Sequence, residues 1–155
     1  MKYVLIKLYL WQHQLLADLR KLQNIALLVA RFYIAQVFFL SGLTKIVNWN
    51  NTLYLFQNEY KVPFLPSELA AWLGTSGELI LPVFLIMGLL GRFSAIGLFV
   101  VNLMAAVSLV EIAPAALSQH MLWGSLLVAL TILGAGRISL DSWLKQWAHK
   151  TLGCD

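Results

Sequence analysis

Charge and sulphur are both scarce in this chain. Asp, Glu, Lys and Arg supply only 12% of its 155 residues, and the one cysteine is Cys154. A single thiol has no partner in the chain, so it offers neither a disulfide framework nor a Cys-x-x-Cys redox pair. Metal-ligand spacing is missing, as are a glycine-rich nucleotide loop and a catalytic triad. No internal repeat is evident. Eleven Lys and Arg against seven Asp and Glu give a net charge of +4. Those cations are scattered around apolar segments rather than gathered in a patch, which argues against nucleic acid as a partner.

Apolar side chain is what the sequence has in excess. Hydrophobic residues make up 60% of it, and the mean hydropathy is +0.76. A soluble domain of this length has too high a surface-to-volume ratio to hide so much. A lipid solvent removes the difficulty. Four segments are long enough to span roughly 30 Å of hydrocarbon, which takes about 20 helical residues. They are Ala26–Val47, Leu69–Leu90, Arg92–Ile112 and Ala116–Gly136. Helices are expected because each backbone hydrogen bond must then be met inside its own segment. The expected class is therefore all-α, an integral membrane four-helix bundle over residues 26–136.

The connections fit that count. Asn48–Ser67 is polar and aromatic with Pro63 and Pro66, and reads as a structured loop or short interfacial helix. Ser67 before Glu68 has the pattern of an N-cap. Gly91-Arg92 makes a tight turn, and Pro114 separates the third and fourth helices. Lys7, Gln12, His13, Gln14 and Asp18 interrupt the first 25 residues too often for a signal peptide or a fifth crossing. Leu5, Leu8, Trp11, Leu15, Leu19 and Leu22 recur every three or four residues there, as in an amphipathic helix lying in the interface. The tail 137–155 repeats the pattern with Leu140, Trp143, Leu144 and Trp147. Membrane anchoring is the plain reading of both, and docking of a partner protein the alternative.

Orientation follows from the basic residues. With the N-terminus inside, Lys2, Lys7, Arg20, Lys21, Arg31, Arg92, Arg137, Lys145 and Lys150 fall on the inner side. Only Lys45 and Lys61 fall outside, so both termini are expected in the cytoplasm.

Ionisable residues inside a span cost about 2.5–3.5 kcal/mol at the centre, so they need compensation. Arg31 and Lys45 are 14 residues apart, close to four turns, and so share one face with Phe38 and Gly42. Gly42 lets a neighbouring helix approach. Glu78 falls roughly 14 Å deep at about 1.5 Å per residue, near the midplane. Lys45 and Arg31 are each expected about 10 Å from it along the normal, one above and one below, within reach of either long side chain. Asn102 lies near the midplane, His120 nearer the outer surface, and Glu111 is placed to meet His120 across the Pro114 turn. The ligand or proton-site candidates are thus Arg31, Lys45, Glu78, Asn102 and His120. Plainer roles stand beside them. A Lys–Glu pair is often assembly glue, and Asn102 fits an interhelical hydrogen bond. A lone core histidine excludes bis-histidine haem. Arg92 and Arg137 read as snorkelling cations. The six tryptophans fall where interface belts are expected.

At "FFLSGLTKI" (Phe38–Ile46) the chain resembles the DoxX family of small four-helix membrane proteins. The likeness continues through "TLYLFQNEYKVPFLPSELAAWLGTSGELILPVFLIMGLLGRFSAIGLFVVNLMA", "HMLWG" and "GAGRISLD", and covers roughly Leu28–Leu144. The family pattern marks Arg31, Gly42, Lys45, Glu78, Gly91, Arg92, His120 and Asp141 without naming a catalytic residue. Gly42, Gly91, Arg92 and Asp141 are read as its structural motif. The resemblance implies a protein of the bacterial inner membrane linked to redox metabolism, such as a small subunit of a thiosulfate–quinone oxidoreductase. It implies partners among soluble or membrane oxidoreductase subunits, a homo-oligomer as a further option, and quinone as the candidate cofactor, with none intrinsic. A carrier for a small solute or proton, and a structural anchor for soluble redox enzymes, remain the alternatives.

Overall fold

The computed structural model describes residues 2–109 and 111–153. Cys154 lies outside the described residues, as do the side chains of Leu5, Leu8, His13 and Asp18. Six helices follow one another: α1 (Lys2–Val47), α2 (Trp49–Asn58), α3 (Ser67–Met87), α4 (Gly91–Ser108), α5 (Pro114–Leu133) and α6 (Leu140–Leu152). Four of them, α1, α3, α4 and α5, are long and apolar enough to cross a membrane. The chain is an all-α integral membrane protein.

The break expected near residue 25 is absent. α1 runs unbroken for 46 residues, or about 69 Å at about 1.5 Å per residue. No glycine or proline occurs from Lys2 to Ser41, so nothing local stops the helix. The amphipathic stripe is thus an extension of the first crossing. Trp11, Leu15, Leu19 and Leu22 on it are exposed, and so are Leu140, Trp143, Leu144 and Trp147 of α6. α3 starts one residue earlier than expected, with Pro66 at its N-cap and Ser67 already helical.

α1 packs on α3, α3 on α4, α4 on α5, and α5 returns to α1, closing the bundle. Its core joins Leu27, Ile34 and Phe38 of α1 to Leu85 of α3, Ala95 and Leu98 of α4, and Leu127 and Leu130 of α5. A second cluster sets Phe56 of α2 on Ala70 and Ala71 of α3. α2 therefore covers the first turns of α3, beyond the point where α1 ends. One end of the bundle carries α2 and the α4–α5 connection, and will be called the loop end. The other carries the α3–α4 turn, the 134–139 loop and α6, and will be called the tail end.

At the tail end α3 closes through Gly88 in the left-handed region (φ 66°), whose N–H bonds the Leu85 carbonyl at 3.1 Å. Leu90 also takes positive φ (51°), which a branched side chain adopts only under restraint. Asp141 supplies that restraint. Its carboxylate accepts from the N–H groups of Leu90 at 3.0 Å and Gly91 at 3.1 Å, so α6 caps α4. This gives Gly91 and Asp141 a shared structural role. Gly91 also lies against Ala135, with no room for a Cβ between them.

Candidate functional site

The buried charges assemble where α1 meets α3. Gly42 makes this contact possible: a Cβ there would stand 2.8 Å from Leu79 Cγ and 3.1 Å from Glu78 Cβ. One turn further along α1, Lys45 pairs with Glu78. The Lys45 ammonium also donates to Ser41 Oγ at 3.0 Å. Glu78 is 5% exposed, so the acid is buried, while Lys45 stays half-buried. Pro82 lies inside α3 and has no N–H to offer the Glu78 carbonyl four residues back. Thr75, one turn before Glu78 on the same face, is 3% exposed and its hydroxyl makes no hydrogen bond.

α2 closes this region from the loop end. Thr52 Oγ1 donates to the Lys45 carbonyl at 2.9 Å, tying α2 to the last turn of α1. Tyr60 follows, stacked edge-on against Phe56 at 5.1 Å between ring centroids. Burial pushes its phenol above the usual range, and the charges of Glu59 and Glu78 add to the effect. Its backbone pairs with that of Leu109, which joins the segment after α2 to the end of α4.

Beside the ion pair lies an apolar cavity of about 310 Å³, lined by Ile46, Trp49, Trp72, Thr75, Ser76, Leu79 and Ile80. The Trp49 and Trp72 rings pack at 4.3 Å between centroids, tilted by 47°. Ile46, Trp72 and Ile80 are exposed, so the cavity opens sideways, toward where lipid would be. Two of the tryptophans read as interface belt thus also wall a cavity.

Asn102 and His120 form a separate network on α4 and α5. Asn102 Nδ2 donates to the His120 carbonyl at 2.9 Å, and its Oδ1 lies 2.9 Å from His120 Nδ1. With the amide oriented so, Oδ1 must accept and Nδ1 must carry the hydrogen. His120 also meets Trp123 edge-on at 5.2 Å. Val101 abuts Gly77 within 3.1 Å of an added Cβ, so Asn102 lies near the depth of Glu78. No hydrogen bond or ion pair joins the two networks among the described residues. The expected meeting of Glu111 with His120 does not occur, because the Asn102 amide already engages both ring and backbone, while Glu111 is exposed.

Arg31 needs a larger correction. It is 1% exposed, yet it does not reach Glu78. Nε donates to the Leu85 carbonyl at 2.8 Å, and Nη1 to Ala135 at 2.9 Å and Ile138 at 2.7 Å. Nη2 bonds the Ile86 carbonyl. The last turn of a helix leaves its carbonyls without partners, and the 134–139 loop leaves more. One guanidinium satisfies both sets and fastens α1, α3 and the loop together. Arg31 is a structural clamp at the tail end. Arg92, which was read as snorkelling, turns one nitrogen toward the Ile132 carbonyl at 3.4 Å.

Ser41, Thr75 and Pro82 were missed as members of the site. Their spacing carried a signal: Ser41 is one turn before Lys45, Thr75 one turn before Glu78, and Pro82 one turn after it. Among the described residues no group of three or more His, Cys, Asp or Glu side chains converges as a metal site.

The DoxX family model matches residues 26–111. An uncharacterised protein of Haemophilus influenzae (strain ATCC 51907 / DSM 11121 / KW20 / Rd) is 32% identical over 132 residues, covering 79% of this chain and 85% of the relative. No solved structure matches the chain.

Proposed function

The chain belongs to the DoxX family, and from that premise we propose that it is a membrane subunit serving an oxidoreductase. With the loop end outside, its outer cavity, the one beside the ion pair, takes the head of a small lipophilic carbonyl compound such as a quinone. One observation carries the reading: an apolar cavity of about 310 Å³ is lined in part by Thr75, whose buried hydroxyl has no partner, one turn from the buried acid Glu78. A quinone head is a flat ring with two carbonyl acceptors. Trp49 and Trp72 offer flat apolar faces, and Thr75 a donor with no competing partner. The opening on the lipid side admits such a ligand from within the bilayer. Electrons come from the partner enzyme, since the sequence has no Cys-x-x-Cys pair or haem ligand set of its own. Glu78, held by Lys45 and Ser41, is the group placed to exchange a proton as the ring is reduced. Both termini lie in the cytoplasm, and the partner enzyme docks on the exposed apolar stripes of α6 and of the extension of α1.

The test is a titration of the purified chain in nanodiscs with a short-chain quinone, followed by tryptophan quenching. Saturable quenching is expected, weakened roughly fivefold by Thr75→Val, the loss of one hydrogen bond, and abolished by Ser76→Phe, which fills the cavity. Quenching indifferent to both changes would sink the reading. Glu78→Gln should fold, insert and bind the quinone, yet fail to support quinone-dependent activity of the partner complex. If it behaves as wild type, Glu78 is assembly glue.

A further inference from the structure

The tail end holds a second cavity, larger and of opposite character. It encloses about 720 Å³ between α1, the α3–α4 turn, the 134–139 loop and α6. Four cations line it, each from a different element: Arg20 of α1, Arg92 of α4, Arg137 of the loop and Lys145 of α6. A bias of basic residues toward one side of a membrane scatters them along that side. It does not by itself bring cations from three helices and a loop onto one cleft. The acid that lines the cleft, Asp141, already has both oxygens on the Leu90 and Gly91 N–H groups. The cations therefore outnumber it by three, four less one. Among the described residues, Arg92 is the one cation of the four whose side chain hydrogen-bonds protein here, by a long bond at 3.4 Å to a carbonyl that neutralises no charge. The same cleft is bordered by apolar side chains, and Leu90, Phe93 and Leu133 among them are exposed. Cations over an apolar rim, at the end of a membrane-spanning bundle, match an amphiphile whose head is anionic and whose chains lie beside the helices.

We propose that this cleft binds the phosphate head of an anionic phospholipid, with two phosphates as the best charge match. The head lies among Arg20, Arg92, Arg137 and Lys145, and the acyl chains run down past Phe93 and Leu133. Such a lipid would hold α6 and the extension of α1 against the bundle. The binding is independent of the outer cavity and of any redox role.

The experiment is native mass spectrometry of the full chain released from nanodiscs. The nanodiscs contain diphosphatidylglycerol, phosphatidylglycerol or phosphatidylcholine, and a parallel arm adds free pyrophosphate in detergent. Diphosphatidylglycerol should be retained through delipidation, phosphatidylglycerol less and phosphatidylcholine not at all. Arg137→Gln with Lys145→Gln should weaken retention roughly thirtyfold, at the usual contribution of a basic side chain near an anionic head. Lys61→Gln with Lys150→Gln removes the same charge outside the cleft and should change little. Ser142→Glu places an acid in the cleft without removing a cation and should abolish retention; circular dichroism confirms that each variant is helical. Equal losses in the two double variants would reduce the effect to net charge and overturn the proposal. Pyrophosphate displacing the lipid at equal concentration would overturn it too, with a soluble phosphate compound as the occupant.

Discussion

Replacing Lys45 by Met leaves Glu78 buried at 5% exposure with the Ser41 hydroxyl as a remaining hydrogen-bond partner. Breaking a buried ion pair from one side costs about 3–5 kcal/mol, because the surviving charge keeps its desolvation penalty. Ser41 offers partial compensation, so the lower end of that range, about 3 kcal/mol, is expected for Lys45→Met. Glu78→Leu should cost less, about 2 kcal/mol, since the Lys45 side chain is 22% exposed and can extend toward the loop end. With both changes no charge is left, and two apolar side chains of similar volume replace the pair. The double variant should fall within about 1 kcal/mol of wild type. The assay is reversible unfolding in mixed detergent and SDS micelles, followed by circular dichroism. A coupling free energy of about 3 kcal/mol or more is expected from the cycle. Additivity to within about 0.5 kcal/mol would refute the reasoning, since that is what non-interacting sites give.

At the α1–α3 contact, Gly42→Ala puts a Cβ 2.8 Å from Leu79 Cγ and should cost about 1–3 kcal/mol in the same unfolding assay. Arg31→Lys keeps the charge but replaces the planar fork with a single ammonium. It should leave carbonyls of α3 or the 134–139 loop unbonded and destabilise by about 3 kcal/mol or more, while quinone quenching by the surviving folded fraction is unchanged. Reporter fusions after Tyr60 should read outside and fusions after Lys150 inside; a cytoplasmic signal after Tyr60 would defeat the assigned orientation.

Membrane insertion and the number of spanning helices were legible in the chain itself, because both depend on local properties. A run of about 20 apolar residues crosses hydrocarbon whatever surrounds it. The pairing of Lys45 with Glu78 was legible too, since Gly42 and Lys45 share a helical face and an acid in mid-span demands a partner. Tertiary structure decided the rest. Arg31 carries the same kind of charge on the same face as Lys45, but its partners are backbone carbonyls freed where α3 ends and where the 134–139 loop turns. Carbonyls belong to every residue, so residue type gives no sign of them. The depth of each group also depended on packing: Gly42 set beside Glu78 and Leu79 brings Lys45 level with the acid and leaves Arg31 at the end of α3. Both cavities join residues far apart in the chain. The one at the loop end needs α2 folded back over α3, and the one at the tail end needs α6 returned to the α3–α4 turn by Asp141. Local propensity sets which segments become helices, while the hollows between them depend on long-range contacts that no single stretch of sequence contains.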